Sequence, residues 1–186
     1  MTDRPLRIAL LTNPGSGRNR KGLEHVRRFA RNCPGLVHRE AATPAEIAAA
    51  LAELIAQEPG LLAINGGDGT VAAVLTSLYR DTVAAPPPPL ALLRGGTTNM
   101  TAGDLGLTEP LKRALARLQR LAESPPAQLP LVQRPILRVE LWPRGDVHYG
   151  LFFGAGAIVR GIEYCHAKVH SKGLRDGIAP IGIGAD

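Results

Sequence analysis

Residues 61–70, LLAINGGDGT, run a mostly apolar stretch straight into two glycines, an aspartate, a third glycine and a threonine. The VAAVLTSLY that follows places Val71, Val74, Leu75 and Leu78 at helical spacing. The pattern predicts a buried strand, a tight glycine turn, and a helix opening out of that turn. The first N–H groups of a helix lack internal partners and carry the positive end of its dipole, so such a turn suits a phosphate. Glycine also lets backbone approach an anion with no Cβ in the way. Asp68 would repel phosphate in this cradle and needs another task. A metal–water network, or the hydroxyl that receives a phosphoryl group, would each supply one.

Other apolar runs extend the pattern. LRIALL (6–11) predicts a strand ending at TNPGSGRNRKG, after which Leu23, Val26, Phe29 and Ala30 share one helical face. LVHRE (36–40) predicts a second strand. Thr43-Pro44-Ala45-Glu46 then reads as a helix start, with a threonine cap, proline in the first turn and glutamate three after the cap. That helix should run through Ile47, Leu51, Leu54 and Ile55 and stop near Pro59-Gly60. APPPP (85–89) is a stiff connector to a fourth strand, LALLR (90–94), which ends in Gly95-Gly96-Thr97-Thr98-Asn99. A further helix fits 109–123. Strands alternating with helices predict an α/β fold, a doubly wound parallel sheet over roughly the first 125 residues.

The pattern changes after SPPAQLP (124–130), which reads as a linker. LRVEL (137–141) alternates, WPRGD can turn the chain, and VHYGLFF follows, which predicts an antiparallel hairpin. The expected organisation is a nucleotide-binding domain over 1–125 and the start of a β-rich second domain over 131–186. The apolar, glycine-rich GIAPIGIGAD at the end suggests a fragment.

Composition narrows the partners. Hydrophobic content of 45% suits a globular chain of 186 residues, and two cysteines, Cys33 and Cys165, form no metal or disulfide pattern. They are expected to be reduced, in a cytoplasmic setting. No apolar stretch approaches the roughly 20 residues needed to span a bilayer. The net charge is +6, with Arg18, Arg20, Lys21, Arg27, Arg28 and Arg31 close together. Such a cluster is a solvated helix face or a patch for nucleotides or anionic lipid. Aromatic content of 4% leaves few platforms for stacking bases, so nucleic acid is not expected as a partner.

Three glycine turns thus follow three strands, and in a parallel sheet all lie at the carboxyl edge, where open α/β sheets bind ligands. Each alone has a steric explanation; together they favour a nucleotide polyphosphate. The Walker spacing G-x-x-x-x-G-K-[ST] is missing, and Arg20 stands where a dinucleotide fingerprint would have its third glycine. The five histidines are scattered. His166 and His170 are four apart but have no third ligand for zinc.

On the N-P-x-S-G turn at 13–17, GGDGT at 66–70 and G-T-x-N at 96–99, the chain resembles the diacylglycerol kinase catalytic-domain superfamily, which includes bacterial lipid kinases and sphingosine kinases. The resemblance covers most of residues 6–125. It implies a nucleotide-binding α/β domain, ATP and Mg2+ as requirements, and a membrane lipid such as diacylglycerol or a sphingoid base as acceptor. A peripheral position at the inner membrane face fits it, and a homodimer is compatible with it. The implied nucleotide contacts fall on Asn13, Pro14, Gly15, Ser16, Gly17, Thr43, Gly66, Gly67, Asp68, Gly69, Thr70, Val71, Ala72, Thr97 and Asn99. Thr43 doubles as the helix cap. Asp68 is the implied catalytic residue, as base for the acceptor hydroxyl or as part of a magnesium-linked network; metal ligands are not identified. Two positions depart from the family pattern: Arg94-Gly95 precede the third turn where proline is usual, and Met100 follows Asn99 where aspartate is usual. Family enzymes continue well beyond this chain's end with a downstream acidic base and metal loop, so the site is expected to be incomplete if the chain stands alone. The alternatives are a NAD kinase-like enzyme, against which the lack of any asparagine after Asn99 counts, and an inactive nucleotide-binding module.

Overall fold

The computed structural model describes residues 6–80, 86–123 and 128–153. The chain divides into two compact units, Met1–Leu151 and Phe152–Asp186, and every element named below lies in the first. In chain order these are β1 (Ile8–Thr12), α1 (Asn19–Asn32), β2 (Leu36–Glu40), α2 (Pro44–Ile55), β3 (Leu61–Gly66), α3 (Asp68–Arg80), β4 (Leu90–Arg94), α4 (Met100–Asp104), α5 (Leu111–Glu123), β5 (Leu137–Leu141) and β6 (Asp146–Gly150).

The first four strands form one parallel sheet in the order β2-β1-β3-β4. Thr12 aligns with Glu40 on one side and Asn65 on the other, and Gly66 aligns with Arg94, so the strands end level. β1 and β3 are central and buried at every position, which is why they read as unbroken apolar runs. Their side chains alternate between the two faces. Ile8, Leu10, Leu61 and Ala63 pack with Val26 of α1 and Leu115 and Leu118 of α5. Ala9, Leu11, Leu62 and Ile64 pack with Ile47, Leu51 and Leu54 of α2 and Val71, Val74 and Leu75 of α3. Each such fully buried leucine or isoleucine contributes about 1.5–3 kcal/mol.

The chain order makes the ligand edge. From β1 it moves out through α1 to β2, then crosses back over β1 through α2 to β3. The strand order therefore reverses between β1 and β3, a topological switch point that opens a crevice beyond their carboxyl ends.

The expected helix start at Thr43 is a complete capping box. Thr43 Oγ1 accepts from Glu46 N at 3.3 Å, while Glu46 Oε2 accepts from Thr43 N at 3.1 Å and Ala42 N at 2.7 Å. α2 ends at Ile55, short of Pro59-Gly60, because Gln57 and Glu58 N–H turn back to Leu54 and Ile55 carbonyls and Glu58 takes φ 48°. α5 begins at Leu111, two residues inside the expected 109–123, with Pro110 O accepting from Arg113 and Ala114 N. The short α4 had no counterpart in the sequence pattern.

β5 and β6 pair antiparallel, Leu137 opposite Gly150, and Gly145 N donates to Leu141 O at 2.8 Å to close the turn. The hairpin packs on α3: Tyr149 N donates to Thr76 Oγ1 at 2.9 Å and the Tyr149 ring stacks on Tyr79 with centroids 5.5 Å apart. Residues 86–89 and 128–130 have no regular structure, in keeping with connectors. The GIAPIGIGAD tail, Cys165 and the His166–His170 pair lie outside the described residues. Cys33 is buried and free, and burial pushes its thiol pKa up, as expected of an inert core cysteine.

Two outcomes follow from these contacts. Thr43→Ala should lower the unfolding free energy by about 1 kcal/mol in urea denaturation. His38 lies 3.0 Å from Thr12 Oγ1, and burial holds its pKa below the ordinary histidine value despite nearby Glu40. Its neutral form is therefore favoured on folding. That contribution is complete above the ordinary histidine pKa and is lost as pH falls through the lower folded value. His38→Gln should flatten the stability–pH curve across that interval.

Candidate nucleotide site

Four loops meet at the carboxyl edge of the sheet, and backbone hydrogen bonds join them. Asn13 N donates to Asn65 O at 2.9 Å, tying the first turn to β3. Ala41 N donates to Thr12 O at 3.0 Å, bringing in the loop that carries Thr43. Gly66 O accepts from Gly95 N at 3.2 Å and Gly96 N at 3.1 Å, and Gly95 O accepts from Arg18 N at 3.0 Å. The turns at 13–17, 66–70 and 95–99 are thus one connected structure.

Side chains reinforce the joints. Asn13 Oδ1 accepts from Gly15 N at 2.8 Å, an Asx-type turn, while Asn13 Nδ2 donates to Thr70 Oγ1 at 2.9 Å. Gly67 N donates to Ser16 Oγ at 3.3 Å. Asn99 takes the left-handed conformation (φ 56°), and its amide bonds both Gly96 N (2.8 Å) and Gly96 O (2.6 Å). Asn99 therefore shapes the third turn. A Cβ on Gly96 would collide with Gly67 Cα and one on Gly95 with the buried amides of Asn19 and Asn65, whereas one on Gly17 would meet only the rotatable hydroxyl of exposed Thr97.

Several groups remain available to a ligand. Asp68 N and Gly69 N, the first two amides of α3, have no hydrogen-bond partner among the described residues, and a Cβ on Gly69 would meet nothing within 4 Å. Thr97 and Gly15 are exposed, as are Arg18 and Arg20 at the start of α1. The open helix N-terminus and basic rim suit a polyphosphate. Val71, by contrast, turns its side chain into the core, so only its backbone faces the turn. Thr43 is exposed on the neighbouring loop with its hydroxyl engaged in the cap.

Asp68 has a structural partner that the sequence did not announce. Its Oδ1 accepts from Thr101 N at 2.8 Å and its Oδ2 from Met100 N at 3.1 Å. Because Asn99 makes no side-chain cap to α4, Asp68 supplies that cap from across the crevice. A carboxylate has about four lone-pair sites, so each oxygen keeps acceptor capacity. Among the described residues no cluster of three acidic, histidine or cysteine side chains could cage a metal.

No local sequence pattern marks Asn19 and Asn65. Both are fully buried, and Asn19 Nδ2 donates to Asn13 O (2.8 Å) and Asn65 O (3.0 Å), welding α1 to the two strand ends. Asn65 Oδ1 and Nδ2 have no partner among the described residues. The available signal was a lone amide at the end of the apolar run LLAIN. Arg94, where the family pattern has proline, donates to Thr108 O at 3.0 Å, anchoring the segment after α4. An apolar groove of about 490 Å³ runs along β4, lined by Leu90, Leu92, Leu118, Leu131 and Ile136. Of the candidate-site residues only Val71 touches it.

Fold and site together define a doubly wound α/β domain whose ligand edge is built of joined glycine turns. The sequence matches the diacylglycerol kinase catalytic domain over residues 7–128, and the chain belongs to that family. No curated protein matches it. Two solved structures from Bacillus anthracis str. Sterne share the fold. One is described as a diacylglycerol kinase (24% identity, TM-score 0.51) and the other as a putative diacylglycerol kinase (22%, TM-score 0.51). Each match covers 64% of this chain, and 43% and 41% of those chains respectively, so the chain spans less than half their length.

Two glycines separate folding from binding. Gly96→Ala should destabilise the protein by about 1–3 kcal/mol, since backbone must move to admit the methyl. Gly69→Ala should leave it as stable or about 0.5–1 kcal/mol more stable, being helical and uncrowded, yet weaken ATP binding. Urea unfolding and ATP titration of both variants check this.

Proposed function

We propose that this protein is an ATP-dependent lipid kinase. It would transfer the γ-phosphoryl group to a hydroxyl of a membrane lipid such as diacylglycerol or a sphingoid base. The observation that carries the reading is the hydrogen-bonded union of three phosphate-type turns at the switch point, in a chain of this family. The triphosphate lies against the open N-terminus of α3 and the 13–17 turn, within reach of Thr97, with Arg18 and Arg20 adding positive potential at the rim. Thr43 and Ala72 complete the nucleotide's surroundings. Mg2+, when bound, would neutralise the charge of the phosphate oxygens, and such a site would need only one or two protein carboxylates.

In the transfer the acceptor oxygen forms a bond to the γ-phosphorus, the bond to the β–γ bridging oxygen breaks, and ADP leaves. The acceptor's proton passes to Asp68, directly or through water, as general base. The bonds from Met100 N and Thr101 N hold that carboxylate against the start of α4. The protein works at the inner membrane face, in the cytoplasm, with a β-rich region from residue 131 onward contributing to acceptor choice.

A second reading has one observation in its favour: both carboxylate oxygens of Asp68 are engaged structurally, by Met100 N and Thr101 N. On that reading it binds ATP without turnover.

The test is radiolabelled phosphate transfer from MgATP to mixed lipid acceptors, with NAD as a parallel acceptor. Lipid labelling is expected, and Asp68→Ala should abolish it while the protein stays folded, about 1 kcal/mol less stable for loss of the α4 cap. Thermal stabilisation by ATP with no labelling of any acceptor would favour the second reading. Labelling of NAD alone would contradict the lipid assignment, and unchanged transfer by the variant would remove Asp68 from its role.

A further inference from the structure

The doubly wound topology sorts charge. α1 and α5 lie on one face of the sheet, α2 and α3 on the other. α1 carries five cationic residues against Glu24, and α5 carries four against Glu123. α2 carries two glutamates and no cation, and α3 balances Asp68 with Arg80. The helices of one face therefore carry seven net positive charges and those of the other two net negative charges. The two basic helices adjoin, since a Cβ on Gly22 of α1 would lie 3.6 Å from Leu111 Cδ2 of α5.

We infer that the α1/α5 face docks on an anionic lipid bilayer. The cations are exposed, and their arrangement works against the helices that bear them. Arg27 and Arg31, like Arg113 and Arg117, are like charges four residues apart, which destabilises a helix. Arg27, Arg31 and Arg117 are compensated by Glu40, Glu24 and Glu109. Arg20, Arg28, Lys112, Arg113 and Arg120 have no ion-pair partner among the described residues. A broad uncompensated face matches an extended anionic surface, where each lysine or arginine adds its own increment of attraction. Nucleic acid fits the same charge less well. The single aromatic on these helices, Phe29, packs toward the core, leaving no exposed ring for a base to stack on.

Both helices point their N-termini toward the ligand edge of the sheet, α1 directly from the 13–17 turn. Docking on this face brings the rim of the crevice to the bilayer surface. The inference deepens the membrane-lipid reading above, yet its test needs neither ATP nor catalysis.

The full chain is sedimented with vesicles of equal parts phosphatidylglycerol and phosphatidylcholine, and with phosphatidylcholine alone. Binding to the anionic vesicles only, weakening as salt is raised, is expected. The triple variant Arg28→Gln, Arg113→Gln, Arg120→Gln should bind about a hundredfold more weakly, at about fivefold per charge. A control triple, Arg7→Gln, Arg39→Gln, Arg144→Gln, removes the same charge elsewhere and should bind like the parent. All six positions are exposed, so both variants should fold. Equal losses in the two variants would reduce the effect to net charge and overturn the docking face. Binding to neutral vesicles, or retention of an RNA oligonucleotide with no vesicle binding, would overturn it too. Lipid phosphorylation in detergent micelles reports separately on the kinase reading.

Discussion

The contact between Gly67 and Gly96 is the constraint on which the rest of the site depends. Two strands end side by side, and the turns leaving them touch backbone to backbone because neither residue has a side chain. That approach lets Gly66 O accept both Gly95 N and Gly96 N and sets the third turn against the first. It also brings the start of α4 within reach of Asp68. A methyl group at position 96 would break into this chain of consequences at its origin.

From this contact the site follows by ordinary means. Parallel strands of matched register present their ends in a row, the switch point leaves space between them, and the amides opening α3 face that space. Short polar side chains fill the turns: Asn13 and Asn99 bond to their own loops, while Asn19, Ser16 and Thr70 bridge between loops. The result is a preformed, backbone-lined cradle, which suits a ligand recognised by charge and shape. The exposed arginines at the start of α1 add positive charge at its rim.

Much of this was legible in the sequence, for physical reasons that differ by element. β1 and β3 stood out because a strand buried on both faces must be apolar throughout, and α2 because its capping box is written in four consecutive residues. α4 is hidden: it has five residues, a left-handed start at Asn99 whose own side chain does not cap it, and a cap supplied 32 residues earlier in the chain. Asn19 and Asn65 were hidden too, since one amide in a helix and one in an apolar run look incidental until the fold buries them together. Asp68 was singled out for its charge, but its bond to α4 is a tertiary fact that no local pattern encodes. The segregation of basic and acidic helices is of the same kind, since it depends on which way each crossover passes the sheet.

On the proposed function, the joined turns form one nucleotide site. Hydrogen exchange of the backbone amides with and without MgATP tests it most directly. ATP is expected to slow exchange at Gly15, Gly17, Asp68 and Gly69 together, across two turns separated by some fifty residues of sequence. Protection confined to one turn, or found only along the apolar groove beside β4, would contradict it.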